Sequence, residues 1–266
     1  MKVPALLRMM VVCLGVISAT SAQAQDLMGL DVTSDSFTKA DTTRAVIEAD
    51  LKGLKPGEVL DLSGRSLNGL DFSGMDLRRV KLQSARINKA NFKGANLEGV
   101  VLDQAWALGA DFSQVKGRKA SLFATQFGGA TMEDADFSEA LVAGDFTNAR
   151  MMRVRFDGAN LSADEKNQSM GLMRGAFKGA NLDGASFKGA NMQRVMMEFA
   201  SLKGADLTGA NLRGSELAAV DLSDADVTGA NFLDADVTSA RLAGMKNAAA
   251  AKNLDKAKNL DRAMTK

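Results

Sequence analysis

The side chains that most often carry reaction chemistry are scarce in this chain. It has no histidine and no tyrosine, and its one cysteine is Cys13. Imidazole-based triads and histidine-bearing metal sites are therefore outside its means, and thiol nucleophiles are too once Cys13 leaves with the first 24 residues. Carboxylates, methionines and one tryptophan remain. Asp224 with Asp226, and Asp234 with Asp236, have the look of the paired acids that cleave polysaccharide. Asp recurs at this place throughout the chain, however, so no catalytic residue is assigned. Met152, Met173 and Met196 offer thioethers suited to copper, but without His or Cys no ligand set is complete. Adaptable packing is the reading for this secondary patch, and neither metal nor cofactor is expected.

What positions these residues is an apolar side chain returning every fifth position from Leu62 to Leu242, usually with Ala or Val two residues earlier. A step of five rotates a helical side chain by about 140°, which spreads the centres round a helix instead of lining one stripe. On a flat strand an odd step sends successive centres to opposite faces. The backbone must therefore turn at every repeat. If it turns a quarter circle each time, four repeats close a square coil of twenty residues with the centres inside, and the small residues two before them leave room for the core. About 36 centres can be counted, including Leu172, and only Ala107 and Gly117 are not large and apolar. They make about nine coils, and at about 4.8 Å per coil the rod is about 40 Å long.

Ala205-Asp206-Leu207, Ala210-Asn211-Leu212 and Ala230-Asn231-Phe232 carry a family resemblance. The chain resembles the pentapeptide-repeat proteins, whose unit is Ala-(Asp/Asn)-(Leu/Phe)-X-X. That resemblance implies an all-β fold, a right-handed, four-sided parallel β-helix. It also brings one functional precedent, since some members mimic duplex DNA, bind DNA gyrase and confer quinolone resistance. That role asks for a cytoplasmic, strongly acidic protein. Here the 33 basic residues, of which Lys2 and Arg8 belong to the leader, stand against 32 acidic ones. Neither duplex mimicry nor nucleic-acid binding is expected of so neutral a surface.

Residues 1–24 read as a secretory signal peptide: Lys2 and Arg8 give a basic start, Met9 to Ser18 an apolar run, and Ala22-Gln23-Ala24 a cleavage site before Gln25. A periplasmic or secreted protein follows, with no membrane span in the mature chain and with Cys13 removed. Residues 25–57 are a leader and an N-terminal capping helix, started by Thr38 or Asp41 and ended at Gly53. The β-helix occupies 58–244, interrupted by a one-residue slip between Val142 and Phe146 and by a polar loop at 162–171. Residues 245–266 repeat at a step of six and form a C-terminal cap or tail, helical and covering the last coil, or pairing as a homodimer.

Stacking at twenty residues turns the sequence into a surface map. It predicts an Arg78, Glu98, Arg118 ladder, the pairs Lys178–Glu198 and Asp183–Lys203, a column of Asn191, Asn211 and Asn231, and Met152 above Met173. It also predicts a rod that is basic near its start and acidic near its end, where Glu216 to Asp236 run without a base. The scaffold does not require outward apolar residues. Val101, Trp106, Leu108 and Phe123 fall on neighbouring faces with Arg86 one coil below Trp106, and this is the candidate partner contact; the alternative is that Trp106 compensates for the small centre Ala107 or is covered by a terminal segment. The sequence thus reads as a non-enzymatic exported scaffold for a protein or cell-envelope component. A carbohydrate-binding or carbohydrate-cleaving β-helix using Trp106 as a platform is the alternative.

Overall fold

The computed structural model describes residues 34–163 and 173–266, all within one compact unit. The signal-peptide segment with Cys13 and the Ala24–Gln25 junction lies outside the described residues, as do 164–172. Each repeat is a short extended piece and a turn. The N–H of Leu67 donates to the carbonyl of Arg86 in the next coil at 2.7 Å, and the carbonyl of Leu67 accepts from Leu70 at 3.2 Å to close the corner. The third residue of such a corner is left-handed, which is why Gly64 and Gly184 stand there at φ 68° and 67°. Asp or Asn before the centre has a reason too: its Oδ1 accepts the N–H two residues on, as Asn91 does from Lys93 at 3.0 Å.

So little backbone is extended between corners that only β1 (Leu60–Asp61) and β2 (Val80–Lys81) form a two-residue parallel pair. Elsewhere single parallel rungs build the ladder. Ser66, Arg86, Trp106 and Gln126 pair in steps of twenty, Gln126 with Asp145 at nineteen, Asp145 with Ala176 at thirty-one, and Ala176 with Met196 at twenty again. The step of nineteen is the slip. There Gly144 replaces a full corner, and a Cβ on it would stand 2.8 Å from the carbonyl oxygen of Thr125. The step of thirty-one is the insertion. Gly175 donates to the carbonyl of Leu161 at 3.0 Å, the usual corner bond, so Phe177 follows Leu161 on the ladder and the inserted stretch runs to Arg174. That corrects the loop boundary of 171. An excess of eleven restores the beat, so counting could not tell Leu172 from the next true centre.

The interior is built of columns. Phe72, Phe92 and Phe112 stack at 4.7 and 4.6 Å, and Phe127, Phe146 and Phe177 at 5.0 and 4.9 Å. The two undersized centres lie one coil below large ones. Lys116 pairs with Asp136, which sets Phe137 over Gly117, and Trp106 pairs with Gln126, which sets Phe127 over Ala107. At Gly117 the missing volume is filled by the ring above.

At the first coil, helix α1 (Asp35–Thr38) leads into α2 (Arg44–Gly53). The N-cap of α2 is Thr43, whose side chain accepts from Val46, instead of Thr38 or Asp41. Ile47 joins the core with Leu51 packed against it. Arg44 donates to the carbonyls of Asp71 and Ser73 at 3.1 and 3.3 Å, and the N–H of Asp41 to that of Ser66 at 2.8 Å. In later coils the equivalent carbonyls accept from the coil beneath.

The C-terminal segment is not an α-helix. Lys246, Lys252, Lys258 and Met264 pair with Asp226, Asn231, Asp236 and Arg241, a six-residue side laid on a five-residue one. The extra residue is absorbed in 3-10 turns at Ala248–Ala250, Leu254–Lys256 and Leu260–Arg262, each preceded by a left-handed Asn. Asparagine tolerates that backbone better than most residues. Lys246 and Lys258 come to lie against Asp226 and Asp236, so the acidic end read from the sequence is offset by the chain's own tail.

Candidate functional site

The ladder places Arg86 directly beside Trp106, as the count of twenty required. The indole is not bare. Phe37 of α1 meets it edge-on, with ring centroids 5.3 Å apart and planes at 81°. Two nearly buried asparagines hold α1 there. Asn68 Nδ2 donates to the carbonyl of Lys39 at 3.4 Å and Asn88 Nδ2 to that of Phe37 at 3.3 Å, while their Oδ1 atoms accept the N–H groups of Asn88 and Leu108, both at 2.9 Å. Below them the Arg65 guanidinium grips Asp41 through both carboxylate oxygens and holds its carboxyl below the usual range. Leu108 is half-buried at the corner beyond Trp106, and Val101 and Phe123 are half-buried on the adjoining side and corner. The sequence reading missed Phe37, Asn68 and Asn88. The two Asn, twenty apart at a spacer position, were the available signal. Because Trp106 is the sole tryptophan, Phe37→Ala should shift its fluorescence emission to the red and lower stability by about 1 kcal/mol; unchanged emission would mean that the contact does not form in solution.

Met196 lies on the same ladder as Trp106, four rungs further on, about 19 Å away. It does not meet the other two methionines by stacking. Arg153 donates to the carbonyl of Asp183 at 2.9 Å, which puts Met152 below Asp183, and Met173 lies within the inserted stretch. Counting by twenty fails across a step of thirty-one. Among the described residues no cluster of His, Cys, Asp or Glu is placed to hold a metal ion.

A residue the sequence reading passed over stands out beside Met196. Phe199 is 65% exposed and sits at φ 62° in a corner, the only aromatic with positive φ among the described residues. Gly179 precedes and Ala219 follows it in that column, so the ring stands clear of its neighbours. Its signal was an aromatic at the second spacer, where the chain otherwise places Gly or a small or polar residue.

In each pair of carboxylates read as a possible acid pair, the second is spent on a corner. Asp226 Oδ1 accepts from the N–H and hydroxyl of Thr228 at 3.0 and 2.6 Å, and Asp236 does the same with Thr238. The Thr hydroxyl is the main influence lowering each carboxyl below its usual value, the opposite of what a general acid needs. Charged spacers likewise choose other partners than the stacked ones. Arg78 takes Asp76 at 2.6 Å, Arg118 takes Glu139, and Lys203 takes Asp221 at 3.5 Å. Lys188 and Lys203 reach diagonally to Oδ2 of Asp206 and Asp221, the oxygens their corner bonds leave unused. The asparagine column does form, with Asn231 Nδ2 donating to Asn211 Oδ1 at 3.4 Å and Asn253 extending it at 2.8 Å.

A family model described as pentapeptide repeats matches in eight copies over residues 61–94, 95–134, 176–209 and 205–244, more than half of the chain. The chain belongs to the pentapeptide repeat family. Proteins of this family fold as right-handed quadrilateral β-helices and are generally structural or binding proteins without catalysis. Two solved pentapeptide repeat structures are similar. HetL of the cyanobacterium Nostoc, involved in the regulation of heterocyst differentiation, is 22% identical over 84% of this chain and 99% of its own, with a TM-score of 0.43. A trypsin-treated form of QnrB1, a plasmid-mediated fluoroquinolone resistance protein, is 18% identical over 75% and 91%, with a TM-score of 0.54. At 18% identity the likeness to QnrB1 concerns the fold alone. No curated protein sequence matches the chain. In this pentapeptide repeat protein the matched copies stop short of the slip and insertion and end before the six-residue coil.

Proposed function

We propose that this protein is an exported, non-enzymatic scaffold, acting in the periplasm or beyond the cell, that binds a protein or cell-envelope partner along the ladder face carrying Trp106 and Met196. The observation that carries the reading is Phe199. A large apolar ring in a left-handed corner, open to solvent, costs both backbone strain and hydrophobic exposure, and neither is needed to build the coil. Aromatic rings of this kind anchor protein interfaces.

The rest of the chain supplies a rigid mount. About nine five-residue-sided coils are capped below by α2, whose Arg44 satisfies carbonyls that would otherwise face open water, and above by the six-residue coil. The inner edge of the tail is spent on that coil, so a homodimer through the tail would use its outer rim. Arginines interleave with the carboxylates, as Arg150 with Glu133 at 2.7 Å and Arg153 with Asp134 at 2.7 Å, an alternation unlike the unbroken acidity of a duplex mimic. Among the described residues no helix is long and apolar enough to cross a membrane.

The test compares wild type with Phe199→Ser in affinity capture from a periplasmic extract. The variant should lose its specifically retained partner by about tenfold or more while its melting temperature stays unchanged. Equal retention by both proteins would remove Phe199, and with it this interface.

A further inference from the structure

A second site, on a different corner from Phe199, goes beyond the scaffold reading. The insertion ends at Arg174, and from there four successive coils contribute to a cleft of about 690 Å³. Its floor is a fixed arginine. The Arg174 side chain is only 19% exposed, with Nη1 donating to the carbonyl of Arg194 at 3.0 Å and Nη2 paired with Glu216 at 2.9 Å. That pair neutralises itself. Among the described residues the cleft also carries Arg213 and Lys258 against Asp234, a positive excess. Arg213 makes no ion pair among the described residues, and Lys258 is brought to the rim by the six-residue coil through its rung with Asp236.

The walls say what else the ligand must carry. Among the described residues no apolar side chain lines the cleft; besides the charged groups there are Gln193 and Gly214. Such a surface gives little to an apolar ligand and much to hydroxyls, which donate to Asp234 and bond to the amide of Gln193. The volume is ample for a sugar ring. We propose that this cleft binds a hydroxyl-rich anion, a sugar unit bearing a carboxylate or a phosphate, with Arg213 and Lys258 receiving the charge and Asp234 and Gln193 the hydroxyls. Arginine forks and lysine ammonium groups recognise both kinds of anion.

Isothermal titration calorimetry of the full mature chain at low ionic strength tests this with four probes: glucuronate, glucose 6-phosphate, glucose and inorganic phosphate. One acidic sugar or both should bind, and comparison of the two tells whether carboxylate or phosphate is preferred. Glucose should bind at least about tenfold more weakly, and inorganic phosphate more weakly than glucose 6-phosphate. Arg213→Gln combined with Lys258→Gln, both at exposed side chains, should weaken the acidic sugar by about tenfold or more without moving the melting temperature. Four results overturn the proposal: no heat from either acidic sugar up to about 10 mM, equal binding of glucose, inorganic phosphate as tight as the sugar phosphate, or a double variant that binds like wild type.

Discussion

Phe92→Ala is expected to lower the stability of the coil by about 3 to 5 kcal/mol, read as a shift of the urea midpoint, and to be the most damaging single truncation in the N-terminal half. Phe92 is fully buried between Phe72 at 4.7 Å and Phe112 at 4.6 Å, with ring planes tilted by only 13° and 15°. Removing the middle ring takes the stacking face from both neighbours at once. The cavity cannot collapse, because each coil is held at the ladder spacing by backbone bonds such as Phe92 N–H to the carbonyl of Asp111 at 2.6 Å. In a solenoid the damage is also positional, since each coil contacts only its neighbours and a weak coil uncouples the two halves. Phe92→Leu restores the residue most coils use and should recover more than half of the loss. A midpoint for Phe92→Ala within error of wild type would mean that the column carries little of the stability.

Gly117→Leu should be nearly as harmful, although it installs the residue the repeat prefers. A Cβ on Gly117 would stand 2.5 Å from Cδ1 and 3.2 Å from Cζ of Phe137, so the ring above occupies the volume a normal side chain would use. Overpacking of this kind costs about 1 to 3 kcal/mol or more. The pair is what makes the prediction sharp. Gly117→Leu with Phe137→Leu redistributes the volume evenly over the two coils, and the double variant should be more stable than Gly117→Leu alone. If the double variant is the worse of the two, Phe137 is not the obstacle and the void has another occupant.

These sites show why parts of the molecule were legible in the sequence and parts were not. The fivefold beat fixes which residues enter the coil and which sit twenty apart, because backbone pairing forces the same register on every side; Arg86 beside Trp106 and Asn211 under Asn231 follow from counting alone. Counting loses its force where backbone pairing does not set the geometry. The ion pairs went to diagonal or lateral partners because one carboxylate oxygen is already used in a corner, a choice made by side chains within reach of several neighbours. Across the insertion, an excess of eleven cancels the one-residue slip and so restores the beat, but it moves Met152 under Asp183.

The sequence by itself determined the family, the square coil, the polar insertion and the absence of imidazole chemistry, since each depends only on residue types and their spacing. Only the tertiary structure decided what covers what. Phe37 lies on Trp106, the lysines of the tail lie on Asp226 and Asp236 as a wider last coil, and Arg174 joins residues of four coils into one cleft. Each of these unites segments far apart in the chain through contacts that no local period encodes. They form because a solenoid leaves its ends and corners unsatisfied, and whichever segment reaches them with matching donors, charge or apolar surface is held there.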